Sequence, residues 1–258
     1  MVWKIENINQ NIKISNPIFI GGLPGIGNVG KITIDFMISE LKADKVAEFT
    51  SDYLPYSVFV NEDNLIEIPK IVLYHKKIKN QEFLFLTGDA QPIDEPSTYQ
   101  LCYKILEFIE KHHCKEMICL GGIGLQSEPK NPKVYCTANN KKIIARYKKE
   151  IKLNNNISGL VGPIIGLSGL LPGLAGRRNI DAMILLAETF AHPLYVGIKG
   201  AKEIVKLLNQ KFNFKIDIKK LEKDIKDIEQ SVKKRSEDIN AVSKTLKDIR
   251  TKEIKYIG

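Results

Sequence analysis

Residues 21–31 read Gly21-Gly22-Leu23-Pro24-Gly25-Ile26-Gly27-Asn28-Val29-Gly30-Lys31, a stretch that resembles two nucleotide-binding motifs and completes neither. Gly25, Gly27 and Gly30 satisfy the G-x-G-x-x-G pattern of dinucleotide-binding folds, with a β-like run before them and a helical run after them. Glu48 follows about 20 residues later, where an acid that binds the ribose would lie. The stretch also gives the G-x-x-x-x-G-K of a P-loop, but the residue after Lys31 has no hydroxyl group for Mg²⁺. The role of this turn therefore separates an enzyme from a protein that acts by binding.

Outward from this turn, short apolar runs with β character alternate with helical patterns over roughly the first 210 residues, which is typical of α/β sheet proteins. The predicted strands cover residues 18–20, 45–50, 57–60, 71–74, 82–86, 116–120, 159–163 and 182–188. The predicted helices cover residues 31–41, 97–112, 141–150, 169–179 and 196–210. Several strand runs are apolar throughout, as strands covered on both faces are. The sequence therefore predicts an α/β fold with a central, mostly parallel sheet flanked by helices.

Glycine-rich turns recur where predicted strands end, and in an open parallel sheet such turns surround one crevice. Each turn alone is explained as well by a tight bend or a close helix contact, which glycine permits. Together they predict a pocket whose candidate residues are Gly25, Gly27, Gly30, Glu48, Asp89, Gly122 and Glu188.

The composition changes after Phe214, because residues 215–250 contain neither Gly nor Pro and interleave both charge signs. Apolar residues recur there at the three- and four-residue spacing of a heptad. They are Ile218, Leu221, Ile225, Ile228, Val232, Ile239, Val242, Leu246 and Ile249. The pattern predicts either a coiled coil between copies or a helix or helical hairpin lying along its own domain. We therefore divide the chain into an α/β domain of residues 1–212, a helical arm of residues 213–250 and a flexible tail of residues 251–258.

The net charge of +9 favours an acidic partner in principle. Lysine greatly outnumbers arginine, and the densest basic cluster, within residues 141–149, has the helical spacing of a solvated face. We therefore predict no specific binding of nucleic acid. The chain has no run of 18 apolar residues and its first residues lack a signal peptide's apolar core, so we expect a cytoplasmic protein that does not engage a membrane.

The sequence offers no conventional catalytic set. Its four cysteines have neither C-x-x-C spacing nor an alternation with histidine, so the pattern indicates neither a zinc site nor a disulfide framework. The H-E-x-x-H motif is absent, and Gly166-Leu167-Ser168-Gly169 is only a near miss for a G-x-S-x-G nucleophile turn. We therefore predict no catalytic residue, no metal and no cofactor.

Several short sequence blocks, taken in their order along the chain, resemble those of a known family. The glycine turn is followed by Ala47-Glu48-Phe49 and Leu54-Pro55, then by blocks at residues 86–92, 120–124, 162–171 and 187–189. In this order, over about residues 17–210, the chain resembles the PAC2 family of proteasome assembly chaperones. The resemblance implies a fold similar to nucleoside phosphorylases without their catalytic residues. It also implies a homo-oligomer that engages proteasome subunits or a related assembly factor without ATP.

The resemblance directs attention to the last residues as well. Family members that touch the proteasome α-ring are similar to its activators in ending with a hydrophobic residue, tyrosine and one further residue. This chain ends Lys255-Tyr256-Ile257-Gly258, so its tyrosine is third from the end instead of second. Tyr256, Ile257 and Gly258 are therefore candidate partner-binding residues that are out of register with the family pattern.

Two hypotheses follow. The first is a non-enzymatic proteasome assembly chaperone or proteasome-interacting adaptor that acts as a homo-oligomer. The alternative is an enzyme or sensor that binds a nucleotide or other small molecule in the glycine-rich crevice.

Overall fold

The computed structural model describes residues 3–9, 12–157, 159, 162–193 and 195–220. Within them lie ten strands, five α-helices and a short 3-10 turn at Ile26–Asn28. The strands are β1 (Lys4–Asn7), β2 (Ile18–Gly21), β3 (Asp44–Thr50), β4 (Phe59–Val60), β5 (Ile66–Glu67), β6 (Ile71–Ile78), β7 (Gln81–Gly88), β8 (Glu116–Leu125), β9 (Val134–Ala138) and β10 (Asp181–Phe190). The helices are α1 (Val29–Leu41), α2 (Glu95–Lys111), α3 (Lys141–Lys148), α4 (Leu167–Gly176) and α5 (Ile198–Phe212).

Eight of these strands form one sheet in the order β1-β3-β6-β7-β2-β8-β10-β9. The four central strands, β7, β2, β8 and β10, pair in parallel. The outer strands pair antiparallel on both sides. The predicted α/β class and helix-flanked central sheet are confirmed, and the sheet is mixed, with its parallel part at the centre.

Strand β7 shows why the centre of the sheet is buried on both faces. Phe83 and Phe85 pack into one hydrophobic cluster, while Leu84 and Leu86 pack into the other. Successive side chains of a strand point to opposite faces, so an uninterrupted apolar run supplies both clusters at once. Helices α1, α3 and α5 contribute to the first cluster, and α2 and α4 contribute to the second. The result is a three-layer arrangement of helices, sheet and helices.

Helix α2 begins where its sequence supplies a cap. The Asp94 carboxylate accepts a hydrogen bond of 2.7 Å from the backbone N–H of Ser97, and a proline lies in the first turn. Such a cap satisfies one of the N–H groups that a helix start leaves without an intrahelical partner. The cap fixes the start of α2 at the carboxyl edge of the sheet.

Some expectations about individual elements differ from the structure. Residues 159–163 are not a strand where they are described, because Gly159 is a turn at φ 82° and Gly162 and Pro163 are irregular. The expected strand at 57–60 is shortened to β4, which pairs only with β5 in a separate hairpin. Three further strands, β1, β5 and β9, were not predicted. Strands β1 and β5 are short and carry charged residues, whereas β9 is short but mostly apolar.

The chain continues past α5 in contact with the α/β core. Phe214 and Ile216 are buried in the same cluster as α1 and α5, and Ile218 packs against that cluster at the start of a helical stretch, 218–220. The remaining predicted arm residues, from Leu221 to Ile249, and the tail residues lie outside the described residues. The division at residue 212, and the coiled coil, stay predictions.

A buried histidine on β6 predicts how stability depends on pH. His75 lies with Nε2 3.4 Å from Glu82 Oε2, and both side chains are nearly inaccessible. Burial lowers the pKa of His75, although the Glu82 carboxylate opposes that shift. The unfolded chain therefore binds this proton first as the pH falls. With respect to His75, the folded state has its full stability above pH 6.5, the ordinary pKa of histidine. That stability declines as the pH falls through 6.5 towards the lower pKa that His75 has in the folded state.

We expect the free energy of unfolding, measured by urea titration between pH 8 and pH 5, to decline for the native chain. The slope from one such group is at most about 1.4 kcal/mol per pH unit. The His75→Gln variant should show a shallower decline over the same range. Equal slopes for the two proteins would contradict the assignment to His75.

Candidate functional site

The glycine turn follows the central strand β2 and lies at the carboxyl edge of the sheet. Gly27 adopts φ 60° within the 3-10 turn, and Gly30 lies in the first turn of α1. A Cβ atom at Gly30 would be 2.6 Å from the carbonyl oxygen of Leu120, and one at Gly27 would be 2.5 Å from Thr189 Oγ1. These glycines therefore permit the turn and α1 to pack directly on β8 and β10.

Other parts of the protein pack closely against the start of α1, although Gly25 and Ile26 of the preceding turn are exposed. Thr189 is buried beside Gly27 and Gly197, and its hydroxyl has no hydrogen-bond partner in the described part of the chain. The backbone N–H of Gly197 donates a hydrogen bond of 2.7 Å to the carbonyl oxygen of Gly27, and Val29 is fully buried. A phosphate bound at a helix N-terminus needs access to free N–H groups. This packing leaves little room for one.

The lysine that a P-loop would direct to phosphate has other partners. Lys31 Nζ lies 2.9 Å from Asp35 Oδ2, and the Thr87 hydroxyl donates to the other oxygen of the same carboxylate at 2.5 Å. The arrangement ties α1 to the end of β7. It is a structural link and not an arrangement around a ligand.

Two predicted pocket residues lie near the turn but make structural contacts. The Glu188 carboxylate, on β10, accepts hydrogen bonds from the backbone N–H of Lys133 and from the Tyr135 hydroxyl. Asp89, directly after β7, accepts a hydrogen bond of 3.2 Å from the backbone N–H of Lys70. The structure thus brings Gly27, Gly30 and Gly122 together, with these carboxylates on neighbouring strand ends.

Glu48 is not part of this group. It lies on β3, and its carboxylate is 2.6 Å from Lys45 Nζ. Strands β6 and β7 separate β3 from β2, which places the two strands roughly 14 Å apart at the usual strand spacing. A dinucleotide-binding unit needs this acid on the strand next to the glycine turn. The pocket as a whole stays a prediction, and the alternative hypothesis loses its ribose-binding acid.

We expect millimolar NAD, ATP or nucleosides to leave the melting temperature of the protein unchanged. A ligand present at 100 times its Kd stabilises the folded state by about 2.7 kcal/mol, which for a chain of this length raises Tm by several degrees. The measurement is a thermal melt over a ligand concentration series, with buffer of matched ionic strength as the control. A saturable rise in Tm with any of these ligands would restore the alternative hypothesis.

An open groove lies on the other side of the carboxyl edge, between the start of α2 and α4. It encloses about 890 Å³. Its apolar lining includes Ile93, Tyr99, Ile164, Ile165, Leu170 and Leu174. Asp94 and Glu95 lie on the α2 side, and Arg177 lies at the far end of α4. A volume of this size accommodates several side chains or a small molecule.

Gln91 connects this groove to the glycine turn. Its side-chain N–H donates a hydrogen bond of 2.7 Å to the Pro24 carbonyl, and its side-chain oxygen accepts one of 3.1 Å from the Leu167 N–H. The second bond satisfies a free N–H at the start of α4, which has no side-chain cap of its own. Gly166, at φ 83°, allows the Gln91 side chain to come this close. Gln91 therefore holds the groove wall and the turn in one fixed arrangement.

The groove was not predicted from the sequence, and of the β4–β5 hairpin only the first strand was predicted. Turn signals for the hairpin are present, because the polar run 61–64 separates two apolar segments. The Asn61 side chain accepts hydrogen bonds from the N–H groups of Asp63 and Leu65, and Asn64 adopts φ 59°. No pattern pointed to the groove, because its walls come from segments far apart in the chain.

The described residues show no metal-binding cluster, no membrane-spanning helix and no activated thiol. No three of their His, Cys, Asp or Glu side chains are grouped so as to hold a metal ion. None of the helices in the described part is both long and apolar enough to span a membrane. The four cysteines are buried, and burial raises the pKa of Cys114 and Cys136 to about 11. An activated thiol requires the opposite shift.

The fold and the site define an α/β protein with a closely packed glycine turn and an open apolar groove. The described residues that line the groove include no acid–base pair of catalytic type. The chain belongs to the PAC2 family, whose model matches residues 19–236. The resemblance inferred from the sequence blocks is thereby confirmed. This family consists of proteasome assembly chaperones and not of enzymes, in agreement with the prediction.

Particular relatives support the assignment. The chain is 26% identical over 265 residues to the uncharacterized protein MJ1210 of Methanocaldococcus jannaschii, with 100% of both chains covered. It is similar to the crystal structure of Pyrococcus furiosus PbaB, described as an archaeal proteasome activator, at 28% identity and a TM-score of 0.80, covering 90% of this chain and 98% of PbaB. Pyrococcus furiosus PbaA, described as an archaeal homolog of a proteasome-assembly chaperone, shares the fold at 21% identity and a TM-score of 0.73, with 100% of both chains covered.

Proposed function

We propose that this chain is a non-enzymatic proteasome assembly chaperone or proteasome-interacting adaptor that acts without ATP, as a homo-oligomer, in the cytoplasm. The observation that carries the proposal is membership of the PAC2 family across most of the chain. The likeness to PbaB, a described proteasome activator, supports a partner within the proteasome system.

The geometry of the site supports action through surfaces. The glycine turn is closed by packing against Leu120 and Thr189, whereas apolar side chains are exposed in the groove and on the β4–β5 hairpin. Exposed apolar surface of this kind is typical of protein–protein contact sites. A chaperone that holds an assembly intermediate needs such surface and needs no reacting group.

We also propose roles for the C-terminal segments from the sequence pattern. The heptad residues from Ile218 to Ile249 would pair between copies or hold a partner, as apolar heptad positions do in coiled coils. Tyr256, Ile257 and Gly258 would contact the proteasome α-ring, although their register differs from the family pattern. Both assignments are open to direct test.

The central experiment mixes the purified full chain with proteasome α-subunits, or with the assembled 20S particle, from the same source. We expect co-elution in size-exclusion chromatography at micromolar concentrations. Parallel runs with ATP and with the nucleotide removed should give the same result. Absence of co-elution with every one of these partners would contradict the proposal, and dependence on ATP would contradict its nucleotide-free part.

A deletion of the last three residues separates the tail from the rest of the chain. If the tail contacts the α-ring, co-elution with the 20S particle should weaken at least tenfold, while the thermal melt of the free chain stays unchanged. Substitution of Lys252, outside the three-residue set, by alanine serves as the matched control. Unchanged co-elution after the deletion would exclude the tail and leave a role for the globular surfaces.

A further inference from the structure

The β4–β5 hairpin presents an apolar face to solvent. Val60 pairs with Ile66 across the hairpin. Val58 precedes Val60 by two residues and Ile68 follows Ile66 by two residues, so both lie just beyond the strands on the side away from the tip. Side chains two residues apart share one face of a strand, so these four residues form a single apolar face. They are between 54% and 72% exposed, and nothing in the described chain covers them. Tyr56, at 97% exposure, and Leu65, at 61%, flank this face.

A hairpin of this size has little stability by itself. Its strands are two residues long each, and an isolated two-stranded hairpin is marginal in water. Its tip is nevertheless well formed, because the Asn61 side chain accepts two backbone hydrogen bonds. A formed hairpin with an uncovered apolar face is therefore suited to docking against another surface.

Both ends of the hairpin are anchored beside the α2–α4 groove. The Tyr53 carbonyl accepts a hydrogen bond of 3.1 Å from the N–H of Ile93, and the Lys70 N–H donates to Asp89. The segment 89–93 between these two anchors leads directly into the groove wall. Hairpin and groove are therefore neighbours on one side of the molecule, and a single contact can use both.

The hairpin tip and the far end of the groove carry opposite charges, while the two acids of the groove, Asp94 and Glu95, lie on its α2 side. Glu62 and Asp63 are exposed at the hairpin tip. At the far end of the groove, the Arg177 guanidinium is exposed and has no ion-pair partner among the residues that the structure describes. An apolar hairpin face with an acidic tip matches an apolar groove that ends in an unpaired arginine.

We propose that the β4–β5 hairpin of one copy of this chain occupies the α2–α4 groove of a second copy, with the Glu62–Asp63 tip directed to Arg177. This inference rests on the homo-oligomeric part of the proposed function and names the surface that forms the oligomer. A standard stable interface buries about 800 Å² on each partner. We therefore expect the interface to include the surface that surrounds the hairpin and the groove as well.

The test joins two engineered thiols in full-length chains. The variants Ile66→Cys in the hairpin and Ile165→Cys in the groove change exposed side chains, at 72% and 86% exposure. The native cysteines are buried, and burial raises their pKa, so they contribute little background reaction. The two variants are coexpressed with different tags and treated with a short bis-maleimide. The control pairs Ile66→Cys with Lys149→Cys, an exposed position at the end of α3 on the other face of the sheet.

We expect the hairpin–groove pair to give at least a tenfold higher yield of cross-linked heterodimer than the control pair. Equal yields would overturn the proposal. A second measurement uses charge: Arg177→Glu should weaken self-association severalfold, and combining it with Glu62→Arg should restore it. Absence of restoration while Arg177→Glu still weakens association would overturn the role of the tip.

The same variants separate this inference from the proposed function. If the hairpin–groove pair cross-links no better than the control pair while the chain is still oligomeric, the hairpin docking is wrong. The homo-oligomer is then formed by another surface. If the chain is monomeric but still co-elutes with α-subunits, both the docking and the homo-oligomer are wrong while the proteasome partner stands. If the cross-link forms and co-elution is absent, the docking stands and the proposed partner is wrong.

Discussion

The Gly30→Ala variant is expected to lose about 3 kcal/mol of folding free energy. The added Cβ atom would lie 2.6 Å from the carbonyl oxygen of Leu120 and 3.3 Å from the Cα atom of Gly22. Both neighbours are backbone, so no side chain can rotate away and helix α1 must shift from β8. Insertion of one methyl group into a well-packed core typically costs about 1–3 kcal/mol, and rigid surroundings give the upper part of that range.

Gly25→Ala is the matched control in the same turn. No atom lies within 4 Å of the position of its Cβ, and its backbone is extended, at φ −165°, which any residue adopts. Its free energy of unfolding in urea should stay within about 0.5 kcal/mol of the native value, as for surface substitutions. Similar losses in the two variants would mean that the turn does not pack as described.

The second large effect is expected for Phe83→Ala. The Phe83 ring is fully buried, and its centroid lies 4.9 Å from that of Phe214 and 5.1 Å from that of Phe212. Removal of a buried phenylalanine ring typically costs about 3–5 kcal/mol, because both the burial and the packing around the cavity are lost. The measurement is again urea unfolding. Phe83→Leu, which keeps most of the volume, should lose less than half as much.

Phe83→Ala should also loosen the chain that follows α5. Phe212 and Phe214 lie at the junction between α5 and the predicted arm, and both rings rest against Phe83. We therefore expect faster protease cleavage near residues 213–216 in Phe83→Ala than in Phe83→Leu. Equal cleavage rates would show that Phe214 is held in place by other contacts.

The strands at the centre of the sheet were predictable, because their side chains alone identify them. Residues 18–20, 83–86 and 117–120 are apolar throughout, and such short runs are typical of strands that are covered on both faces. The outer strands were not predictable in this way. Strand β9 has residues that favour strands, but it is only five residues long, and its place beside β10 depends on a pairing that its own sequence does not specify.

The strand order could not be predicted, and it decides the meaning of Glu48. The sequence suggested that the strand after α1 lies next to β2, as in dinucleotide-binding folds. Strands β6 and β7, joined by a tight turn with Lys79 at φ 54°, are inserted between them. Local patterns specify the elements, whereas the neighbours of a strand depend on contacts between distant parts of the chain.

The candidate surfaces were missed for a related reason. Val58 and Val60 have the composition of strand residues, and a strand was indeed predicted there. Nothing in their sequence tells whether a strand joins the main sheet or stands apart, because both environments favour β-branched residues. The groove depends on Gln91 meeting Pro24 and Leu167, which are remote in sequence.

The position of β2 in the sheet also has a consequence for synthesis. Ile18 pairs with Phe83 on one side and with Glu116 on the other, so this early strand waits for both partners to leave the ribosome. Chains dominated by such distant pairings refold slowly, on a scale of milliseconds to seconds even for small domains. Until those later strands have been synthesised and have paired, the nascent N-terminal half exposes its apolar runs. A protein that assists the assembly of others would thus itself have a vulnerable period before its own sheet can close.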